Sequence, residues 1–112
     1  MEIGNLNEYQ LLALRTKPDL SRKDLMLNAA LGSTGEAGEL ADAVKKHVYH
    51  NHPLPFENVA KELGDMMWYI ALMAETFGYT LQEVAEMNIE KLRKRYPEGF
   101  SSVDSIKRVD TK

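Results

Sequence analysis

The chain has 112 residues, 44 % of them apolar, no cysteine and a formal net charge of −3. This suits one domain around one core; it is too apolar for disorder and too acidic for a general nucleic-acid binder, which needs a basic stripe. The missing cysteines exclude disulfides, thiolate chemistry and cysteine zinc sites, and fit a reducing cytoplasm. Met1-Glu2-Ile3-Gly4-Asn5 has neither the basic start nor the apolar run of a secretion signal. The longest near-continuous apolar segment, Met66 to Ala74, is nine residues long, far below the ~20 needed to span a bilayer. A cytoplasmic protein without membrane or nucleic-acid partners is expected.

Residues 5–15 predict a first helix, capped by Asn5 or Asn7 and ended by Thr16-Lys17-Pro18-Asp19, because Pro18 cannot continue the ladder. Ser21 or Asp24 starts a second helix that runs to about Tyr49. Gly32, Gly35 and Gly38 weaken its middle by about 1 kcal/mol each relative to alanine. They predict either a kink or the close approach of another backbone or a ligand. His50-Asn51-His52-Pro53-Leu54-Pro55 is the clearest break, and His47, His50 and His52 read as loop residues around it. Phe56-Glu57-Asn58 leads into a third helix that ends near Phe77-Gly78, with Gly78 as a left-handed cap. Thr80 caps a fourth helix with Glu83 completing a capping box, and that helix stops at Arg95, before Pro97. No segment reads as a strand. The expectation is an all-α, four-helix domain over residues 1–100, followed by a loose polar tail over 101–112.

The second and third helices repeat one device. Glu36 and Glu39 stand three residues apart, and so do Glu62 and Asp65. By helical arithmetic each pair lies about 100° round from an apolar stripe. On the second helix that stripe is Met26, Ala30, Ala37, Leu40, Ala41, Val44 and Val48; on the third it is Val59, Leu63, Met66, Met67, Ile70 and Ala74. If the two helices pack side by side, four carboxylates meet at matching edges.

From Met66 onward the third helix is apolar nearly all round. Trp68 and Leu72 point away from its main stripe, with Tyr69 and Met73 between. A four-helix unit of this size cannot enclose such a helix, so a subunit interface is the expected shield, and an obligate dimer or tetramer follows. Trp68 and Tyr69 also suit a platform for stacking a base, and Trp68 is carried as a candidate substrate-binding residue.

Four clustered carboxylates repel one another and resist desolvation unless cations intervene. Magnesium fits: it is hard, takes oxygen ligands and keeps waters for substrate phosphates, with manganese as a possible substitute. Neither pair contains histidine at ligand spacing, which disfavours zinc and di-iron sites. On the fourth helix Asn88, Lys91 and Arg95 fall at i, i+3 and i+7, within about 60° of one another. Lysine as a point charge and arginine as a fork suit phosphate oxygens, so a nucleoside triphosphate attacked by metal-activated water meets the requirements. The rival reading is a non-catalytic helical dimerisation module, in which the acids form salt bridges to Lys45, Lys46 and Lys61.

Gly35-Glu36-Ala37-Gly38-Glu39-Leu40, then Glu62-Leu63-Gly64-Asp65, then Asn88 through Pro97 resemble the MazG-like nucleoside triphosphate pyrophosphohydrolases. The similarity runs from about Leu6 to Phe100. It implies an all-α bundle completed by dimerisation, often as a dimer of dimers. It further implies magnesium on Glu36, Glu39, Glu62 and Asp65 as the catalytic set, with Asn88, Lys91 and Arg95 on the phosphates. The implied reaction converts a nucleoside triphosphate to the monophosphate and pyrophosphate, as in the housekeeping of nucleotide pools.

Overall fold

Residues 1–111 are described by a computed structural model. Its helices begin where short polar side chains catch free backbone N–H groups. Asn5 Oδ1 accepts the Glu8 N–H at 2.8 Å and opens α1, Leu6–Ala13, which tightens into a 3₁₀ turn over Leu14–Thr16. Ser21 Oγ accepts the Asp24 N–H at 3.2 Å and opens α2, Arg22–His50. Asn51, at φ 56°, ends α2 in the left-handed region, and His52 returns its N–H to the Lys46 carbonyl. Pro55 precedes α3, Phe56–Thr76, and Gly78 turns the chain at φ 84°. Thr80 and Glu83 exchange both bonds of a capping box at the start of α4, Leu81–Arg95. The described residues are all-α, with no strand.

α2 and α3 form a long antiparallel hairpin, and α1 lies across α3 and α4 near the end of α3. Here the core is small: Ala71, Ala74 and Leu81 are buried, with Tyr9, Leu14 and Val84 packed against them. Gln10 sits at the junction, 8 % exposed. Its amide donates to the carbonyls of Ala71 (3.2 Å) and Tyr79 (3.3 Å), and its Oε1 accepts the Leu81 N–H at 2.9 Å. One side chain thus satisfies backbone groups of both α3 and α4.

The structure places His47 and His50, read as loop residues, inside the last turn of α2, and it corrects three further expectations. α2 passes through Gly32, Gly35 and Gly38 as continuous helix. At Gly32 a Cβ would run into the Tyr69 ring, so the glycine lets an aromatic side chain of α3 close on α2; around Gly35 and Gly38 the space is open. The faces of α2 and α3 also differ from the predicted stripes. On α2 the shielded positions include Leu25, Ala29, Gly32, Glu36, Leu40 and Ala43, while Ala30, Ala37, Ala41, Val44 and Val48 are exposed. On α3 Leu72 is fully buried, and the Trp68 indole N–H donates to the Ala13 carbonyl (2.8 Å) and Thr16 Oγ1 (2.9 Å). Leu63, Met67 and Ile70, assigned to the inner stripe, lie open. A helix apolar on every side carries no phase, so the docking of α1 decides which face turns inward.

The third correction concerns the end of the chain. Ser101 caps a further helix, α5, Ser102–Lys107, followed by a 3₁₀ turn at Val109–Thr111. Both lean on α4, so the stretch expected to be loose is folded as far as it is described.

The whole is unusually open for its size. A compact chain of 12.7 kDa exposes about 6,200 Å² and one of 112 residues has a radius of gyration of about 13 Å. This one exposes 8410 Å² and measures 17.0 Å. Leu63, Met67, Ile70 and Phe77 form an uncovered apolar stripe along α3, and α2 adds Leu27, Leu31, Val44 and Val48.

Candidate metal centre

The acid pairs stand near the middle of α2 and in the first half of α3, where the two helices run side by side. Oxygens of Glu36, Glu62 and Asp65 lie within 4.8 Å of one another, one from each carboxylate. Glu36 and Glu62 are half-buried, and each keeps one buried oxygen, Oε2, without a hydrogen-bond partner. With both groups ionised neither can donate to the other; one shared proton would bridge them. That shared bond with Glu62 is the largest cause raising the Glu36 pKa to about 7, followed by burial and the charges of Glu39, Glu62 and Asp65. A cation would satisfy the same two oxygens. The donor set is all carboxylate, so a hard divalent ion such as magnesium fits it.

Glu39 is one turn further along α2 and exposed. Its charge reaches Glu36, but it stands outside the three-oxygen cluster. The reason is rotational: a step of three residues turns the helix about 60° away from Glu36, and Glu36 itself occupies the packed face. Trp68 and Tyr69, in edge-to-face contact at 5.1 Å, join Glu36 and Asp65 around a cleft of about 300 Å³. Trp68 is therefore both an anchor for α1 and a wall of the acidic cleft.

The basic residues that would have bridged these acids are engaged elsewhere. Lys45 and Lys46 pair with Asp42 at 3.5 and 2.8 Å, and Lys61 pairs with Glu57 at 3.5 Å. The bridged-module reading has lost its partners. Sequence reasoning also missed Tyr9, whose hydroxyl pKa is raised by burial and by the nearby charge of Asp65. Its place at the end of an α1 turn gave no local signal.

Asn88 and Lys91 lie on α4 and line a separate pocket of about 400 Å³ with Met87, Glu90, Lys94 and Asp110. This pocket and the acidic cleft share no lining residue. Arg95 is occupied: its Nε and Nη2 each donate to Asp110 at 2.7 Å.

Comparison with known proteins fits this geometry. The model of the MazG nucleotide pyrophosphohydrolase domain matches residues 26–100. The chain belongs to the MazG family. The match takes in both acid pairs and the α4 residues, and leaves out α1 and the segment after Phe100. Similar proteins include the Gene 37 protein of Mycobacterium phage L5, 36 % identical over 73 residues that make up 62 % of this chain and 64 % of that protein. YvdC of Bacillus subtilis (strain 168), described as uncharacterized, is 34 % identical over 70 residues, 54 % of this chain and 66 % of its own. The chain thus spans just under two thirds of the length of these relatives. No solved structure matches it significantly. Among the described residues, no helix is long and apolar enough to cross a membrane.

Proposed function

We propose that this MazG-family chain hydrolyses a nucleoside triphosphate to its monophosphate and pyrophosphate, with magnesium held by Glu36, Glu62 and Asp65. Manganese is the expected substitute. The observation that carries this reading is the pair of buried, partnerless carboxylate oxygens on Glu36 and Glu62, set against a third carboxylate. Desolvated like charges at that spacing are unfavourable alone and favourable around a divalent ion. When bound, the ion supplies charge neutralisation at the phosphates and acidifies a bound water.

The chain's own residues do the rest. Glu36 and Glu62 give up their shared proton and present oxygens. Glu39, at the rim, extends the negative field and takes an outer position, where it can orient water. Trp68 and Tyr69 exclude bulk water from one wall and leave an aromatic surface beside the reacting phosphates. Asn88 and Lys91 contact phosphate oxygens, the lysine as a point charge.

The cleft and the α4 pocket are separate within one copy of the chain, so bringing them together requires association with a second copy. Covering Leu63, Met67 and Ile70 with a second copy would remove the excess surface and bring a second α4 towards the cleft. An interface above about 1,200 Å² in total is enough for a stable pair. The test is pyrophosphate release from a panel of canonical and modified nucleotides, with magnesium and with chelator. Turnover that persists in chelator overturns the metal reading.

A further inference from the structure

The Arg95–Asp110 pair stands apart from the salt bridges of Lys17, Lys45, Lys46 and Lys61 among the described residues. Its side chains are 15 % and 1 % exposed, whereas those of the other salt bridges are at least 36 % exposed. The contact is a two-pronged fork, Nε to Oδ1 and Nη2 to Oδ2, the strongest geometry available to this pair of groups. The same contact holds the Asp110 carboxyl down at about 2. It closes over fifteen residues of chain, and the intervening turn is built to let it close. Tyr96 lies against Phe100 at 5.2 Å, Ser101 Oγ accepts the Asp104 N–H at 3.0 Å, and Arg108 adopts φ 48° where α5 ends. The 3₁₀ turn that carries Asp110 then lies on α4. There Asp110 becomes one wall of the pocket lined by Asn88, Lys91 and Lys94.

We infer that Arg95 is a positioning residue: it clamps the segment 101–111 onto α4 through Asp110, and that segment walls the pocket in which Asn88 and Lys91 receive phosphate. This rests on the phosphate-binding reading of α4 and revises one part of it, because Arg95 serves the pocket through Asp110 and not by touching substrate. Asp110 lies outside the stretch matched by the family model, so the clamp belongs to this chain's own extension of the domain. Lys94, on the same pocket wall, joins Lys91 as a second cation for phosphate.

The test follows two readouts in the full chain: hydrogen exchange of the amides in 101–110, and calorimetric binding of inorganic tripolyphosphate with magnesium. Asp110→Asn and Arg95→Ala should both speed exchange across the segment. Both should weaken tripolyphosphate by similar factors, on the order of tenfold or more, as displaced positioning groups do. The double exchange Arg95→Asp with Asp110→Arg should recover part of both losses. Tighter binding by Asp110→Asn would overturn the inference, since it would mean that Asp110 masks an arginine that binds phosphate. A far larger loss in Arg95→Ala than in Asp110→Asn would overturn it too, and that comparison holds even if the double exchange does not fold. If the unaltered chain ignores tripolyphosphate, the phosphate reading of α4 falls; unchanged exchange in Asp110→Asn would separately sink the clamp.

Discussion

The two ends of α3 bury polar groups in opposite ways. Near its C-terminal end Gln10 is inserted from α1, and each of its polar atoms meets a backbone partner on α3, α4 or the turn between them. Near its N-terminal end Glu62 faces Glu36, and a buried oxygen on each has none. Both arrangements remove polar atoms from water, which is costly unless they are bonded. The first closes its account inside the chain and so holds the fold together. The second leaves a deficit that an external cation can meet, which is what a binding site requires. The neighbouring surfaces differ in the same sense: Ala71, Ala74 and Leu81 are covered, whereas Leu63 and Met67 beside the acids are bare.

The largest expected effect removes the deficit itself. Glu62→Gln or Asp65→Asn keeps shape but deletes a charged ligand, and pyrophosphate release should fall by about a hundredfold or more. Glu39→Gln should fall less, because Glu39 is outside the three-oxygen cluster. Equal losses in all three variants would place Glu39 among the ligands after all. The same measurements separate the site from the core, since none of these changes should lower the melting point of the metal-free chain.

Association comes next. Ile70→Glu or Met67→Glu puts a charge on the uncovered stripe of α3 and should yield a folded but inactive monomer of 12.7 kDa by light scattering. Trp68→Glu acts differently from the interface change expected from sequence: it breaks the contacts to Ala13 and Thr16 and should loosen α1. A fully active Ile70→Glu monomer would remove the partner from the proposal.

At the satisfied end, Gln10→Ala strands three backbone groups, at a cost of about 1–3 kcal/mol in urea unfolding. Magnesium binding should be unchanged. A variant as stable as the parent would mean that water replaces the amide.

These contrasts also show what the sequence made legible. Caps are local, so Thr80 with Glu83 announced its helix outright, and the sequence narrowed the other two to Asn5 or Asn7 and Ser21 or Asp24, of which Asn5 and Ser21 make the bonds. The acid pairs were legible because the spacing repeats, and three of the four acids meet. The inward face of α3 was not legible: Trp68 and Leu72 are as apolar as Met67 and Ile70, and only the long-range bonds from Trp68 to α1 break the tie. Gln10 gave no signal either, since a lone glutamine on a helix looks solvated until its partners from 61 and 71 positions away arrive. The segment after Gly99 did carry one clue, Ser101 three residues before Asp104, the spacing of a cap. Its anchor, Asp110 on Arg95, is a tertiary contact that no local pattern encodes.

The smallest effect is a drift with pH, and it bears directly on the unsatisfied end. Glu36 ionises near 4.5 when unfolded and is raised to about 7 in the fold. Between those values the folded chain binds more protons than the unfolded one, so stability declines as pH rises through that window. Below 4.5 both states are protonated and the penalty vanishes; above about 7 it is fully present. Glu36 is only half-buried, so solvent screens the effect and the drift should be modest. Magnesium competes with the shared proton, so the rise in melting point that it produces should grow as pH climbs from 5 to 8. Glu36→Gln cannot titrate and should lose both the drift and most of the magnesium effect. Melting curves of the two proteins at several pH values, each with and without magnesium, isolate Glu36 together with the carboxylates coupled to it, because titrations remote from the cluster cancel in the difference. Parallel curves for parent and variant would mean that Glu36 and Glu62 share no proton in the folded chain, and the contrast between the two ends of α3 would lose its electrostatic basis.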